Sequence, residues 1–313
     1  MADRSIALPE TVLLKAAHLG GEGARWLAEL PGRIAELERR WAISAGPPLA
    51  GGTAAYVSRV RRADGGSAVL KIPLPGPEAY DQIRTLSAAG GRGYVRLFAY
   101  DLDRPAMLQE TLGPSMEDLA PEDAIRTLCR TLRAAWTVPP PAGARPFDKA
   151  GQLAELIHRL WTKHPAAVSE RAVTRALRFA ERRAAVSPEP VVVHGDPHPG
   201  NALRVPRPRA GAESGFVFID PDGFLADPAY DLGVVLRDWC PELLAAGDPA
   251  GLARRYCRLL ADGSGLDETA IWEWGFVERV SSGLYLLDMG AADLARPFLE
   301  TAELLQGGRT STG

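Results

Sequence analysis

Two apolar runs in this chain each empty into a cluster of polar side chains. In the first, Val191-Val192-Val193 leads into His194-Gly195-Asp196-Pro197-His198-Pro199-Gly200-Asn201. In the second, Phe216-Val217-Phe218-Ile219 leads into Asp220-Pro221-Asp222-Gly223. Apolar strands that end in carboxylates are a means of holding charge rigidly in a pocket. Asp196, Asn201 and Asp220 are the residue types that phosphoryl transfer asks for. A hard ion such as Mg²⁺ takes oxygen ligands, and Asn with Asp supplies oxygens while leaving room for phosphates and water. A further carboxylate must sit by an acceptor hydroxyl to orient it and take its proton. The phosphates that are not transferred need a fixed ammonium, and Lys71 is the candidate. It lies inside the apolar run Ala68-Val69-Leu70-Lys71-Ile72, in a chain where only four of the 36 basic residues are lysines. The plainer reading of Lys71 is an edge-strand lysine with its stem along the sheet and its head in water; beside the three oxygen-bearing residues, the functional reading is preferred.

Other chemistry competes for the same loop. His194, Asp196 and His198 alternate, which suits a transition metal and a metallohydrolase. Such a site needs further ligands and supporting hydrogen bonds, and His18, His158 and His164 lie far off within helical patterns. The preferred reading makes His194 a buried ring that hydrogen-bonds loop backbone and stiffens the turn presenting Asp196. Asp222 reads either as a turn residue or as a second metal or water contact, the turn being preferred. Gly-Lys-Ser/Thr occurs nowhere, which excludes a P-loop ATPase.

The elements around these residues follow from periodicity. Leu27, Leu30, Ile34, Leu37 and Trp41 recur at helical steps, predicting an amphipathic helix that Gly46-Pro47-Pro48 breaks. Ala55 to Val60 alternates as a strand, Asp64-Gly65-Gly66 turns, and Ala68 to Ile72 returns as a hairpin partner. Gly51-Gly52-Thr53 leads in, a glycine pair able to approach a ligand closely. Pro77 to Leu86 reads as a helix with Pro77 in its first turn, and Tyr94–Phe98 and Ala106–Glu110 read as strands. Gly113-Pro114 marks a boundary, giving a mixed N-terminal part (residues 1–112) and a mainly helical C-terminal part (residues 113–313). Helices are expected over Ala124–Trp136, Lys149–His164 and Glu170–Ala184, with a strand-rich island from Pro190 to Asp220.

Composition removes other classes. The 313 residues are 46% hydrophobic and 24% charged, enough for a sizeable core and incompatible with overall disorder. A net charge of −3 leaves no basic excess for a nucleic-acid backbone. Cys129, Cys240 and Cys257 are too few and scattered for a disulfide framework or a cysteine-rich zinc site. No apolar run is long enough to span a bilayer and Met1–Ser5 lacks secretory-signal character, so a soluble cytoplasmic setting is expected.

In order and spacing, Asp196, Asn201 and Asp220 resemble the catalytic-loop Asp, catalytic-loop Asn and metal-binding Asp of kinases. With Ile219-Asp220-Pro221-Asp222-Gly223 followed by Asp227-Pro228-Ala229-Tyr230-Asp231-Leu232, the chain resembles the aminoglycoside phosphotransferase family over nearly its whole length. The resemblance implies an α+β, bilobal, protein-kinase-like fold. By it, Asp196 is the catalytic base, Asn201 and Asp220 hold Mg²⁺, and Lys71 grips the α- and β-phosphates of ATP, with GTP as the alternative donor. Gly51, Gly52 and Thr53 resemble the loop over the nucleotide. Glu110 and Leu112, in Leu108-Gln109-Glu110-Thr111-Leu112, resemble the hinge whose backbone meets adenine. Glu78 is the chosen ion-pair partner of Lys71, with Gln82 the rival position. Asp231 stands where it can cap a helix and, in the family, brace the catalytic loop.

Departures from protein kinases matter too. Gly195 replaces the Arg before the catalytic Asp, Pro221 replaces the Phe after the metal Asp, and only Pro221 to Ala226 separate Asp220 from Asp227. That leaves no room for a phosphorylatable activation loop, so the expected acceptor is a small-molecule hydroxyl. Within the family, Arg40-Trp41 and the segment from Trp272 to Leu284 resemble streptomycin 6-phosphotransferases and hydroxyurea phosphotransferases. A cationic aminocyclitol antibiotic would be recognised by carboxylates such as Asp238, Glu278 and Asp288, although Glu278 also reads as a solvated surface residue. The enzyme is expected as a monomer or weak dimer. Hydroxyurea or another small metabolite as acceptor, and a catalytically weak nucleotide-binding pseudokinase, are the alternatives.

Overall fold

A computed structural model of the chain describes residues 6–49, 54–140, 144–186 and 189–306. Helices α1 (Glu10–His18) and α2 (Gly21–Trp41) come first, and α2 buries Leu30, Ile34 and Leu37 as its periodicity requires. It ends where Ala42 turns left-handed at φ 51°, four residues before the glycine-proline breaker. Gly46-Pro47-Pro48 instead belongs to a strand absent from the sequence reading, β1 (Ile43–Pro48). It lies at the edge of the sheet, where a proline withholds no N–H that a second neighbour needs.

Strands β2 (Ala55–Arg62) and β3 (Ser67–Pro73) form the expected hairpin, with Lys71 paired across to Val57. Helix α3 (Pro77–Ala89) follows, then β4 (Leu97–Asp101) and β5 (Ala106–Glu110). The five strands run in the order β1-β2-β3-β5-β4, all neighbours antiparallel. Lys71 thus sits on a central strand, opposite Met107 of β5 on its other side. Tyr94 falls outside β4 and forms an isolated parallel bridge with Phe218, so part of the expected Tyr94–Phe98 strand serves to join the sheet to the helical half. A small core of α2, β2, β3 and β5 side chains fills the space beneath the sheet. Arg33 of α2 ties this layer to the end of β4 through Asp101 at 2.8 Å. Burial opposes ionisation of Asp101, but the Arg33 guanidinium and backbone N–H donors prevail and hold its carboxyl down to about 2.

Helices α4 (Pro121–Ala135), α5 (Lys149–Lys163) and α6 (Glu170–Ala184) open the helical half. The strand-rich island resolves into two short ribbons: β6 (Val191–Val192) with β9 (Leu225–Ala226), and β7 (Ala202–Arg204) with β8 (Phe216–Phe218). Then come α7 (Pro228–Arg237), α8 (Cys240–Ala245), α9 (Pro249–Ser264), α10 (Glu268–Asp288) and α11 (Ala292–Leu305). Helix α10 packs on α7, α11, α6 and α5 at once, which explains why its middle is buried nearly all round. The main core is continuous from α3 and Tyr94 through these helices. Cys129, Cys240 and Cys257 are all buried and free. Among the described residues, no helix is long and apolar enough to cross a membrane.

Candidate active site

The two ribbons place the ends of both apolar runs side by side. The loop after β6 carries His194, Gly195 and Asp196, and a 3-10 turn (Pro199–Asn201) returns the chain into β7. The loop after β8 carries Ile219, Asp220 and Asp222. Hydrogen bonds cross between them: the Ile219 N–H donates to the Asn201 carbonyl at 2.9 Å, and the Asp222 N–H to the His194 carbonyl at 2.7 Å.

His194 is fully buried. Its Nδ1 accepts the Asp196 N–H at 3.1 Å, while Nε2 lies 2.8 Å from the Ile219 carbonyl, which fixes the ring proton on Nε2. Burial pushes the imidazole down to about 4. Both nitrogens are committed to backbone, so the ring is unavailable as a metal ligand. Asp231, also fully buried, accepts from the His194 N–H (2.9 Å), the Gly195 N–H (2.9 Å) and Trp136 Nε1 (2.8 Å). Burial raises its carboxyl to about 6 against the pull of those donors. The N-cap of α7 is Asp227, whose side chain accepts from the Ala229 N–H; Asp231 braces the loop from within the helix. Gly195 adopts φ +93°, and a Cβ there would lie 2.5 Å from Asp222 Oδ2, so both the backbone conformation and the space call for glycine.

Asp196 presents a partly exposed carboxylate. Its Oδ1 accepts from Arg237 Nη2 at 2.8 Å, and its Oδ2 lies 3.7 Å from His198 Nε2. Burial opposes its ionisation, but the Arg237 and His198 charges outweigh that and keep the group below the ordinary carboxylate range. Asn201 Nδ2 donates to the Asp196 backbone carbonyl at 3.0 Å, which turns its carboxamide oxygen the other way. Asp220 is left-handed at φ 57°, a conformation uncommon outside glycine and one that marks a constrained loop. Its Oδ1 meets Lys71 Nζ at 2.5 Å, across 149 positions of sequence.

Lys71 is therefore paired with Asp220. Glu78 lies exposed on the first turn of α3 and forms no ion pair with Lys71 among the described residues; the physical reason is that Asp220 already neutralises the ammonium. The charge of Glu78 is felt instead at Asp222. Asp222 is exposed at the surface, yet the protein packed around its carboxyl opposes ionisation. This raises it to about 6, with Lys149 opposing and Asp196, Glu278 and Glu78 adding to the rise. Asp222 thus stands within range of the Asp196, Glu278 and Glu78 charges.

The three carboxylates offered for acceptor recognition fare differently. Glu278 is neither solvated nor open to the cleft: it is buried, with Oε1 taking the Tyr230 hydroxyl at 2.6 Å and Oε2 taking Arg237 Nη1 at 3.0 Å. Asp238 pairs with Arg237 Nε at 3.2 Å. Asp288 binds Lys163 (2.5 Å), the last residue of α5, and His164 (2.9 Å), which caps that helix. It stands ten residues beyond Glu278, about 15 Å along α10, and serves to fasten that helix end. At the hinge, the Glu110 side chain is held by Arg209 and by the Arg96 N–H, and the Glu110 N–H donates to the Arg96 carbonyl. The Leu112 N–H makes no hydrogen bond among the described residues. Gly51, Gly52 and Thr53 lie outside the described residues. Sequence reasoning missed Arg237; the available signal was an arginine closing the apolar run Leu232 to Leu236 of α7, directly before Asp238.

With this geometry in place, comparison with known proteins is informative. Residues 40–290 match a family described as aminoglycoside/hydroxyurea antibiotic resistance kinase. The chain is 32% identical over 310 residues to a streptomycin 6-kinase of Streptomyces glaucescens, covering 96% of this chain and 98% of that one. It is 30% identical over 308 residues to a hydroxyurea phosphotransferase of Kitasatospora aureofaciens, covering 95% and 85%. In fold it is similar to a choline kinase of Streptococcus pneumoniae, with TM-score 0.59 at 12% identity, covering 90% of this chain and 100% of that one. Kinase-like in architecture and matched through both acidic loops, the chain belongs to the aminoglycoside/hydroxyurea antibiotic resistance kinase family.

Proposed function

We propose that this phosphotransferase moves the γ-phosphoryl group of ATP onto a hydroxyl of a cationic aminocyclitol of the streptomycin type, with Asp196 as the base. The observation that carries the reading is convergence. Lys71 of the sheet touches Asp220, the residue before Asp220 is bonded to Asn201, and Asn201 is bonded to Asp196. Lys71 thus meets Asp220 directly, and hydrogen bonds to backbone hold the loop carrying Asn201 and Asp196 beside it, bringing together the set that positions a triphosphate and its acceptor.

In this reading Lys71 turns from Asp220 toward the non-transferred phosphates when nucleotide binds. Asp196 orients the acceptor hydroxyl and takes its proton as the new O–P bond forms and the bond to the β-phosphate oxygen breaks, releasing ADP. The carboxamide oxygen of Asn201 and the carboxylate of Asp220 are hard oxygen donors on adjacent loops and fit Mg²⁺. When bound, that ion neutralises phosphate charge. A contact of the Leu112 N–H with the base of the nucleotide is supported by its having no hydrogen-bond acceptor among the described residues. A cationic acceptor is supported by the carboxylates Asp196, Glu78 and Asp222, the first two of which push the third upward. It is supported also by the streptomycin 6-kinases among the relatives.

Asp196→Ala should lose turnover by about three orders of magnitude while retaining ATP binding. The check is steady-state kinetics beside a nucleotide-binding titration, using an acceptor panel that contains streptomycin, other aminocyclitols and hydroxyurea, read by mass gain of one phosphoryl group. Parent-like turnover in the variant removes the base assignment, and phosphorylation of hydroxyurea alone removes the aminocyclitol.

A further inference from the structure

Arg237 ends α7 with its side chain almost enclosed, 14% exposed. Four of its five N–H donors are accounted for. Nη2 donates to Asp196 Oδ1 (2.8 Å), Nη1 to Glu278 Oε2 (3.0 Å) and Ser282 Oγ (3.2 Å), and Nε to Asp238 Oδ1 (3.2 Å). A planar guanidinium bonded on three sides cannot swing. Glu278 is fixed in its turn, buried on α10 with the Tyr230 hydroxyl on its other oxygen at 2.6 Å. The relay Tyr230–Glu278–Arg237 therefore ends on a single oxygen of Asp196. The other oxygen has His198 Nε2 at 3.7 Å, beyond hydrogen-bond reach, and makes no closer polar contact among the described residues.

We propose that Arg237 is the positioning residue of the phosphotransfer site, anchoring Asp196 through Oδ1 so that Oδ2 faces the acceptor hydroxyl, with Glu278 and Tyr230 holding Arg237 in place. This rests on the reading of Asp196 as the base. A purely stabilising role explains the arrangement less well. A buried ion pair gains little net stability because removing both charges from water offsets their attraction, and the most exposed charged member of this cluster is the carboxylate that must meet substrate. Arg237 forms no bond to an acceptor in this account; it acts through Asp196. It also reassigns Glu278 from recognising the acceptor to orienting the base.

The test is a double-mutant cycle with a rescue arm. Arg237→Ala should lower kcat about a hundredfold, the usual effect of misplacing a catalytic group by an ångström, with both KM values within about threefold of the parent. Free guanidinium ion should restore part of the rate, an effect that lost stability alone does not produce. In the Asp196→Ala background, adding Arg237→Ala should cost nothing more, because residues acting as a unit are non-additive. If Arg237→Ala fails to fold, Glu278→Gln and Tyr230→Phe carry the same cycle, each lowering kcat rather than raising acceptor KM. The inference is overturned by a parent-like kcat in folded variants, by a raised acceptor KM at unchanged kcat, or by additive losses with Asp196→Ala. If Asp196→Ala itself turns over at the parent rate, the base reading falls and takes the inference with it. A slow Asp196→Ala beside a parent-like Arg237→Ala sinks the inference alone.

Discussion

His194 is neutral in the folded chain, its imidazole pushed down to about 4 by burial, whereas an unfolded histidine titrates near 6.5. Between those values the unfolded chain binds the extra proton and the folded chain does not. The contribution of His194 is therefore complete above about pH 6.5 and is lost as pH falls through about 4, amounting to about 3 kcal/mol. Asp231 runs the other way, since burial raises its carboxyl to about 6 and its contribution shrinks as pH rises through that value. Comparing the parent with His194→Gln isolates the first term. Urea unfolding from about pH 7 to about pH 4.5 should show the parent losing stability more steeply than the variant; parallel slopes would count against a buried neutral ring. At this scale the sequence was partly legible. Lys71 stood out as a lysine in an arginine-rich chain, and His194 as the end of a valine run. Arg237 was hidden among many arginines, because its role depends on Glu278 and Asp196, each 41 positions away in opposite directions.

Among elements, the helices were readable because each buries one stripe. β1 was not, because glycine and two prolines argue against a strand everywhere except at an edge. The loop joining β6 to the 3-10 turn depends on Gly195 more than its sequence pattern suggests. Gly195→Ala places a side chain at φ +93° and against Asp222. The expected outcome is a loss of about 2 kcal/mol from backbone strain together with reduced turnover, as Asp196 is re-aimed. Denaturant midpoints and kcat on the same preparation check it, and an alanine variant equal to the parent in both would show that the turn is not held as described.

For the whole molecule, architecture was more legible than recognition. The bilobal plan follows from a hairpin-rich first part and a helical second part. What joins them did not follow: Phe218 exchanging backbone bonds with Gly93 (2.8 Å) and Val95 (2.9 Å), and Lys71 reaching Asp220, are contacts between segments remote in sequence. Likewise Asp288, grouped by charge with Glu278, proved to be a fastening for α5. Asp196, Glu278 and Glu78 push Asp222 upward with Lys149 opposing, which gives this side of the cleft an acidic character. A cationic acceptor should accordingly bind less well as salt is added, its KM rising several-fold from about 0.05 M to about 0.5 M ionic strength through screening, while kcat holds. A salt-independent acceptor KM would speak for a neutral acceptor.

All three thiols are shut inside the fold; burial raises Cys129 to about 12 and Cys257 higher still. Cys129 and Cys257 stay protonated at neutral pH, and none of the three is reachable by a bulky reagent. The folded enzyme is therefore a silent background for maleimide chemistry. A single cysteine introduced on the exposed face of α3, with another on an exposed turn of the helical half, would take fluorophores without first stripping the native sulfurs. Opening and shutting of the nucleotide cleft then becomes visible as energy transfer in real time.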